Sequence, residues 1–287
     1  NAQVGVPVKI GRPVISDFTG LLAHHGMSLS QDCINYPDVI QCFIDTPRAR
    51  RIFPMSVKKA DVLVITPHPD DAEFGVAGTV AKWVAEGKEV VYVVCTNGDK
   101  GTSDYDMKPE ALAKIREQEQ RCAAQVLGVR EVIFLRHEDQ GLEDTPEFRK
   151  ELVRYIRMFR PDIVVSADPY RRYIWHRDHR VTGQVVLDAV FPYARDHLAY
   201  PDLLEEGLKP HRVKEVWLWT ISDNINHRSD IKDTFHLKVK ALRCHESQVG
   251  NDRFPDLEGR LRQWARERAK GSEYELAEAF HREEILW

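Results

Sequence analysis

Two short stretches of this 287-residue chain gather ionisable side chains in a way that could do chemistry. The first, Thr66-Pro-His-Pro-Asp-Asp-Ala-Glu-Phe-Gly75, places His68, Asp70 and Asp71 among prolines that stiffen the turn. The second, Trp175-His-Arg-Asp-His179, adds His176 and His179. Imidazole nitrogen and carboxylate oxygen are donors for a catalytic divalent ion such as zinc, which takes three protein ligands and keeps one position for water. His68 and Asp71, three apart on one turn, can point at one ion, and His179 from the second stretch completes the set. Such an ion lowers the pKa of its water toward about 7 and polarises a carbonyl, so the uncommitted Asp70 is the candidate general base. His176 could hydrogen-bond a developing oxyanion and then protonate a leaving amine. For an isolated His-Pro-Asp-Asp the competing reading is a solvated turn, because Asp and Pro both favour turns.

The two stretches must be carried to one rim, and the pattern around them shows how. Asp61 to Thr66 is a nearly continuous apolar run rich in β-branched residues, as a strand buried on both faces requires. Phe74, Ala77, Ala81 and Val84 then recur at helical spacing up to Gly87. Lys88 to Thr96 reads as a second strand, and Pro109 to Leu127 as a helix with a stripe of Leu112, Ile115, Cys122 and Val126. Val132 to Leu135 is a third strand. A helix starting at Thr145-Pro146 buries Phe148, Leu152, Ile156 and Phe159, and Asp162 to Ala167 is a fourth strand. Further on, Val213 to Ser222 reads as a strand, Leu237 to Ser247 and Leu257 to Lys270 as helices, and Ala279 to Leu286 as a last strand. This alternation predicts an α/β chain: a Rossmann-like open, mostly parallel sheet with helices on both faces. Ligands in such sheets bind beyond the C-terminal strand ends, which is where both reactive stretches fall. Residues 1–57, interrupted by Pro7, Pro13, Pro37, Pro47 and Pro54, read as an N-terminal extension with short helical turns before a domain over 58–287.

Composition narrows the classes. Forty-three per cent apolar residues and a net charge of −4 without a basic block argue against disorder and a nucleic-acid partner. The five cysteines (Cys33, Cys42, Cys95, Cys122, Cys244) are scattered, with no C-x-x-C pair, which disfavours a disulfide framework and a thiolate zinc site and fits a reducing compartment. No apolar run reaches the roughly 18 residues of a membrane helix, and no leader pattern is seen. A cytoplasmic protein without a membrane partner is therefore expected.

The motifs quoted above resemble the PIG-L or LmbE-like zinc-dependent deacetylases, which act on N-acetylglucosamine-type sugars. The likeness covers most of residues 58–287, through Pro67-His-Pro-Asp-Asp71 and His176-Arg-Asp-His179. It implies a Zn2+ cofactor held by His68, Asp71 and His179, Asp70 as general base, and His176 assisting the tetrahedral intermediate. It also implies a small-molecule amino-sugar substrate and a homo-oligomeric assembly. Thr96-Asn-Gly-Asp-Lys-Gly101 is similar to a family loop that carries Glu where Asp99 stands. Arg116 with Glu119 is similar to an Arg-x-x-Glu whose arginine reaches the substrate, and Asp139-Gln-Gly-Leu142 to a loop whose aspartate contacts sugar hydroxyls. The bland alternatives are a helix-surface arginine at 116 and a turn aspartate at 139. His245-Glu-Ser-Gln248 looks like a structural family segment. Arg177 stands where relatives commonly carry Pro, adding a cation near the presumed metal rim, and Tyr170, Arg171, Arg172, Tyr173 and Trp175 could line a sugar face.

Two rival functions use the same residues. Two histidines and one carboxylate also make a non-haem iron(II) oxygenase site, although alternating all-β strands would then be expected. A nucleotide-binding Rossmann module is the second, but Gly75-Val-Ala-Gly78 is not G-x-G-x-x-G and the preceding loop is acidic, hostile to a pyrophosphate.

Overall fold

The computed structural model describes residues 59–220, 224–250 and 253–286; the expectation for residues 1–57 lies outside them. Strand and helix alternate as β1 (Val62–Thr66), α1 (Asp71–Ala85), β2 (Val90–Thr96), α2 (Pro109–Leu127), β3 (Glu131–His137), α3 (Pro146–Phe159), β4 (Ile163–Ala167) and α4 (Arg177–Asp188). A π-helical turn, Ala189–Tyr193, and the short α5 (Pro201–Glu205) lead to β5 (Glu215–Trp219) and β6 (His227–Asp230). The described chain ends with α6 (Phe235–Arg243), α7 (Glu246–Val249), α8 (Leu257–Ala269) and β7 (Ala277–Glu284).

These strands form one seven-stranded sheet of order β3-β2-β1-β4-β5-β7-β6. The first five are parallel, and β7 runs antiparallel to both β5 and β6. The sheet is the mostly parallel one expected, with helices on both faces. Successive residues of β1 and β2 face opposite layers: Leu63, Ile65, Val91 and Val93 pack against Phe148, Leu152 and Ile156 of α3 and Val185 of α4. Val62, Val64, Val90 and Tyr92 pack against Val76 and Val80 of α1 and Ala123 and Leu127 of α2. Such double-sided burial is why the strands read as continuous apolar runs.

Two departures from the sequence pattern matter for the site. The buried face of α2 is Leu112, Arg116, Gln120, Ala123, Ala124 and Leu127, while Ile115 and Cys122 are exposed. The expected stripe is thus rotated by about one residue, or 100°, because Arg116 and Gln120 are polar residues whose hydrogen-bond partners lie inward. In addition, Arg177–Asp188 is helical from the middle of the second reactive stretch, so that stretch is a helix start rather than a free turn. His176 caps this helix, its Nδ1 accepting from the Asp178 N–H at 3.2 Å.

Helix α4 reaches β4 by close backbone contact. A Cβ on Gly183 would stand 2.4 Å from the Ala167 carbonyl oxygen. Gly183→Ala is therefore expected to cost about 1–3 kcal/mol by pushing α4 off the strand end. A lower urea midpoint at unchanged slope would show it, and an unchanged midpoint would contradict the packing argument.

Candidate metal centre

The pairing of β1 with β4 brings the two reactive stretches together, since His68 follows β1 by two residues and α4 starts ten residues after β4 ends. Asp71 opens α1, and His179 sits in the first turn of α4, so both are held on helix ends rather than on free loops. Asp139 arrives from the loop after β3. Asp70, at the turn between β1 and α1, has φ +95°, a left-handed backbone that non-glycine residues adopt rarely, Asp and Asn among them.

The three residues expected to hold an ion are in mutual contact through Asp71. Its Oδ2 lies 2.9 Å from His68 Nδ1 and its Oδ1 lies 3.1 Å from His179 Nε2. His68 Nε2 stands 3.1 Å from both Asp139 Oδ1 and Asp178 Oδ2. Burial opposes the imidazolium of His68, but Asp71, Asp139 and Asp178 outweigh it and raise its pKa well above the usual value. Burial likewise opposes ionisation of Asp71, yet His179 and His68 hold it well below the ordinary carboxylate range. Burial, followed by the nearby His68 and His179, lowers His176. Asp70 is different: burial pushes it up to about 6 against the opposing pull of Arg116.

Donor atoms of His68, His176 and His179 lie within 4.8 Å of one another, and so do those of His68, Asp139, His176 and Asp178. The expected pair His68 and His179 is in the first cluster; the second has Asp139 and Asp178, and Asp71 is in neither. Asp178 was missed. It is fully buried, accepts from the backbone N–H of Gln140 at 2.7 Å and of Leu142 at 3.3 Å, and so ties the loop after β3 to α4. Its only sequence signal was its place between His176 and His179. The donor set fits a divalent cation: imidazoles and carboxylates converge, all buried but His176, and the buried His179 Nδ1 has no hydrogen-bond partner among the described residues.

The remaining candidates surround this cluster. Arg116 is buried, not a helix-surface residue. Its Nη2 donates to Pro69 O at 2.6 Å and its Nη1 to Gly98 O at 3.0 Å, with Asp70 Oδ2 at 3.4 Å and Asp139 Oδ2 at 4.0 Å. Gly98, at φ +62°, leaves room for it, since a Cβ there would stand 2.7 Å from Nη1. Asp139, also buried, faces His68 and accepts from the Lys100 N–H at 3.3 Å. Asp99 accepts from the Asp139 N–H at 3.3 Å, so the shorter carboxylate serves the loop contact. Arg177 turns to Glu143 at 3.4 Å and is more than half exposed. Trp175 packs edge-on against His179, centroids 4.3 Å apart, and the Arg171 guanidinium lies over the Trp175 ring at 4.4 Å, whereas Tyr170 and Tyr173 are exposed. His245 is fully buried, 3.2 Å from Glu73.

Fold and site together define a Rossmann-like α/β protein with a cluster of imidazole and carboxylate groups able to hold a metal at the switch point of its sheet. The family profile described as "PIG-L: GlcNAc-PI de-N-acetylase" matches residues 63–190. A diacetylchitobiose deacetylase of Thermococcus kodakarensis is 38% identical over 222 residues, 77% of this chain and 82% of that protein. The chain belongs to the PIG-L family. A probable N-acetyl-alpha-D-glucosaminyl L-malate deacetylase 2 of Bacillus anthracis is 28% identical over 198 residues, 65% of this chain and 80% of that protein. The structure of N,N'-diacetylchitobiose deacetylase from Pyrococcus horikoshii superimposes with a TM-score of 0.75 at 29% identity, over 90% of this chain and 95% of that one. Neither the oxygenase nor the nucleotide-binding reading is favoured by these relatives. Among the described residues no helix is long and apolar enough to cross a membrane.

Binding of a divalent ion to the folded site alone stabilises by mass action. Titrating Zn2+ or Co2+ into chelator-treated protein is expected to raise Tm with ion concentration, and less so at lower pH, where protons compete for the same donors. His68→Ala should abolish the rise; a rise that survives in this variant places the ion elsewhere.

Proposed function

We propose that the protein is a zinc-dependent hydrolase that removes an N-acetyl group from an N-acetylglucosamine-type sugar or sugar conjugate. The observation that carries this reading is the division of labour at one turn: Asp71 is bound to His68 and His179, while the carboxylate of the adjacent Asp70 is held by neither and lies 3.4 Å from Arg116. His68, Asp71 and His179 are the residues we assign to the ion, with Asp139 and Asp178 bracing His68. A divalent ion held there supplies a water acidified toward neutral pH and a Lewis acid for an amide carbonyl.

The chain's own groups complete the reaction. Asp70, with a carboxyl held at about 6, takes up a proton from the attacking water near neutral pH. A base matched to the working pH is the more efficient one, and burial is what moves a carboxylate there. His176 accepts from the Asp178 N–H at Nδ1, so its neutral ring carries the hydrogen on Nε2. That N–H is the donor we assign to the oxyanion, and the proton that Asp70 took from the water goes to the leaving amine. Arg116 and Asp139, 4.0 Å apart beside Asp70, are the groups we assign to the sugar. The relatives named as deacetylases of diacetylchitobiose and of a glucosaminyl malate support the amino-sugar class. Zinc rather than another ion rests on the sequence resemblance; a cytoplasmic homo-oligomer and the division into an extension over 1–57 and a catalytic domain over 58–287 are carried over from the sequence reading.

Acetate release from N-acetylglucosamine, its β-linked dimer and N-acetylglucosaminyl conjugates tests the activity. Asp70→Asn is expected to keep near-normal metal content and lose about 10²–10⁴-fold in kcat, the usual contribution of a general base. His179→Ala should lose the metal itself. Equal metal loss in both variants would refute the assignment of roles.

A further inference from the structure

Gln120 has no place in the reaction so far, yet it is wholly buried on the face of α2 that looks toward the site. A buried carboxamide is costly unless both its ends are paired. Its Oε1 accepts from the Asp70 backbone N–H at 3.0 Å, and its Nε2 donates to Glu73 Oε1 at 3.0 Å. Glu73 is itself wholly buried, and its other oxygen faces His245 Nε2 at 3.2 Å. The Asp70 N–H can only donate, so the amide oxygen of Gln120 turns toward it and the amide nitrogen toward Glu73.

One turn earlier on α2, Arg116 donates to Pro69 O at 2.6 Å. Pro69 C=O and Asp70 N–H are the two ends of a single peptide unit. Helix α2 therefore grips that peptide plane from both sides, with Arg116 on the oxygen and Gln120 on the hydrogen. The plane is the reference from which φ of Asp70 is measured, and that φ is +95°. A flip of the peptide would release the left-handed strain and swing the Asp70 side chain away; the two hydrogen bonds oppose the flip.

We propose that Gln120, oriented by Glu73 and His245, is a positioning residue that locks the Pro69–Asp70 peptide and so aims the Asp70 carboxyl at the reacting centre. This rests on Asp70 being the general base. A displacement of about 1 Å at a reacting group can cost on the order of 10²-fold in rate, which sets the scale of the effect.

The test uses Gln120→Met, which keeps length without hydrogen bonds, and an exchange of the two polar partners. Gln120→Met is expected to lower kcat for acetate release by about 10–100-fold while KM and bound metal stay near wild type. Gln120→Glu alone sets two carboxylates together and should be at least as impaired. Adding Glu73→Gln restores the bond between positions 73 and 120 with donor and acceptor reversed: the carboxamide now at position 73 donates to the carboxylate now at position 120, which still accepts from the Asp70 N–H. The double variant should recover to within about threefold of wild type, a rescue that loss of packing does not produce. The proposal is overturned if Gln120→Met keeps kcat within about threefold or loses metal in step with activity. It is also overturned if the double variant, folded and metal-loaded, is no better than Gln120→Glu. Should wild-type protein release acetate from no N-acetylated sugar, the deacetylase reading falls by itself. Crystal structures then decide the clamp: a flipped Pro69–Asp70 peptide in Gln120→Met and a retained one in the exchange support it, and an unmoved peptide in Gln120→Met refutes it.

Discussion

Everything at this site depends on the parallel pairing of β1 with β4. Val62, Leu63 and Val64 lie in register with Ile163, Val164 and Val165, so the chain leaves both strands in the same direction and at the same edge. On the other side of β1 lies β2, so the sheet order reverses between β1 and β4. The crevice at that reversal is what lets residues around 70, 139 and 178 share a space of a few ångströms. Without the apolar layers above and below, which exclude water from β1 on both faces, the same residues would be ordinary solvated turn residues.

The electrostatics follow from that geometry. Several carboxylates stand around a few imidazoles with a guanidinium nearby, and all but His176 are largely shut off from solvent. The protein resolves the conflict by splitting the pair at the start of α1: Asp71 keeps its charge against two histidines, and Asp70 is driven toward neutrality by burial. Adjacent residues of one type thus acquire opposite tendencies because the chain turns between them. Arg116 limits how far Asp70 moves and also binds backbone of two loops, so its position is structural as well as electrostatic.

Much of this was legible in the sequence, for a physical reason in each case. Strands buried on both faces announce themselves as apolar runs, and α3 shows its stripe of Phe148, Leu152, Ile156 and Phe159 because all four enter the core. His68, Asp70, Asp71, His176 and His179 stood out because short motifs place several donors on one turn. The inner face of α2 did not. Hydropathy locates the side of a helix that avoids water, and at the site that side carries Arg116 and Gln120, whose partners are distant in sequence. Asp178 was hidden for the same reason: in isolation it is an acidic residue in the first turn of a helix, and its role comes from amides of Gln140 and Leu142. The short β6 and the antiparallel placement of β7 left no periodic trace that separates them from other strands.

The contact of His68 with Asp178 spans 110 residues of chain. Closing a loop of that length costs entropy before any contact within it repays the loss, and parallel strands are slow to pair for the same reason. The donor cluster is therefore a product of the folded sheet and no seed for it. A bound ion, which adds its interactions after the sheet has closed, retards unfolding far more than it speeds folding. Its contribution to the life of this protein is measured in how long the native state persists.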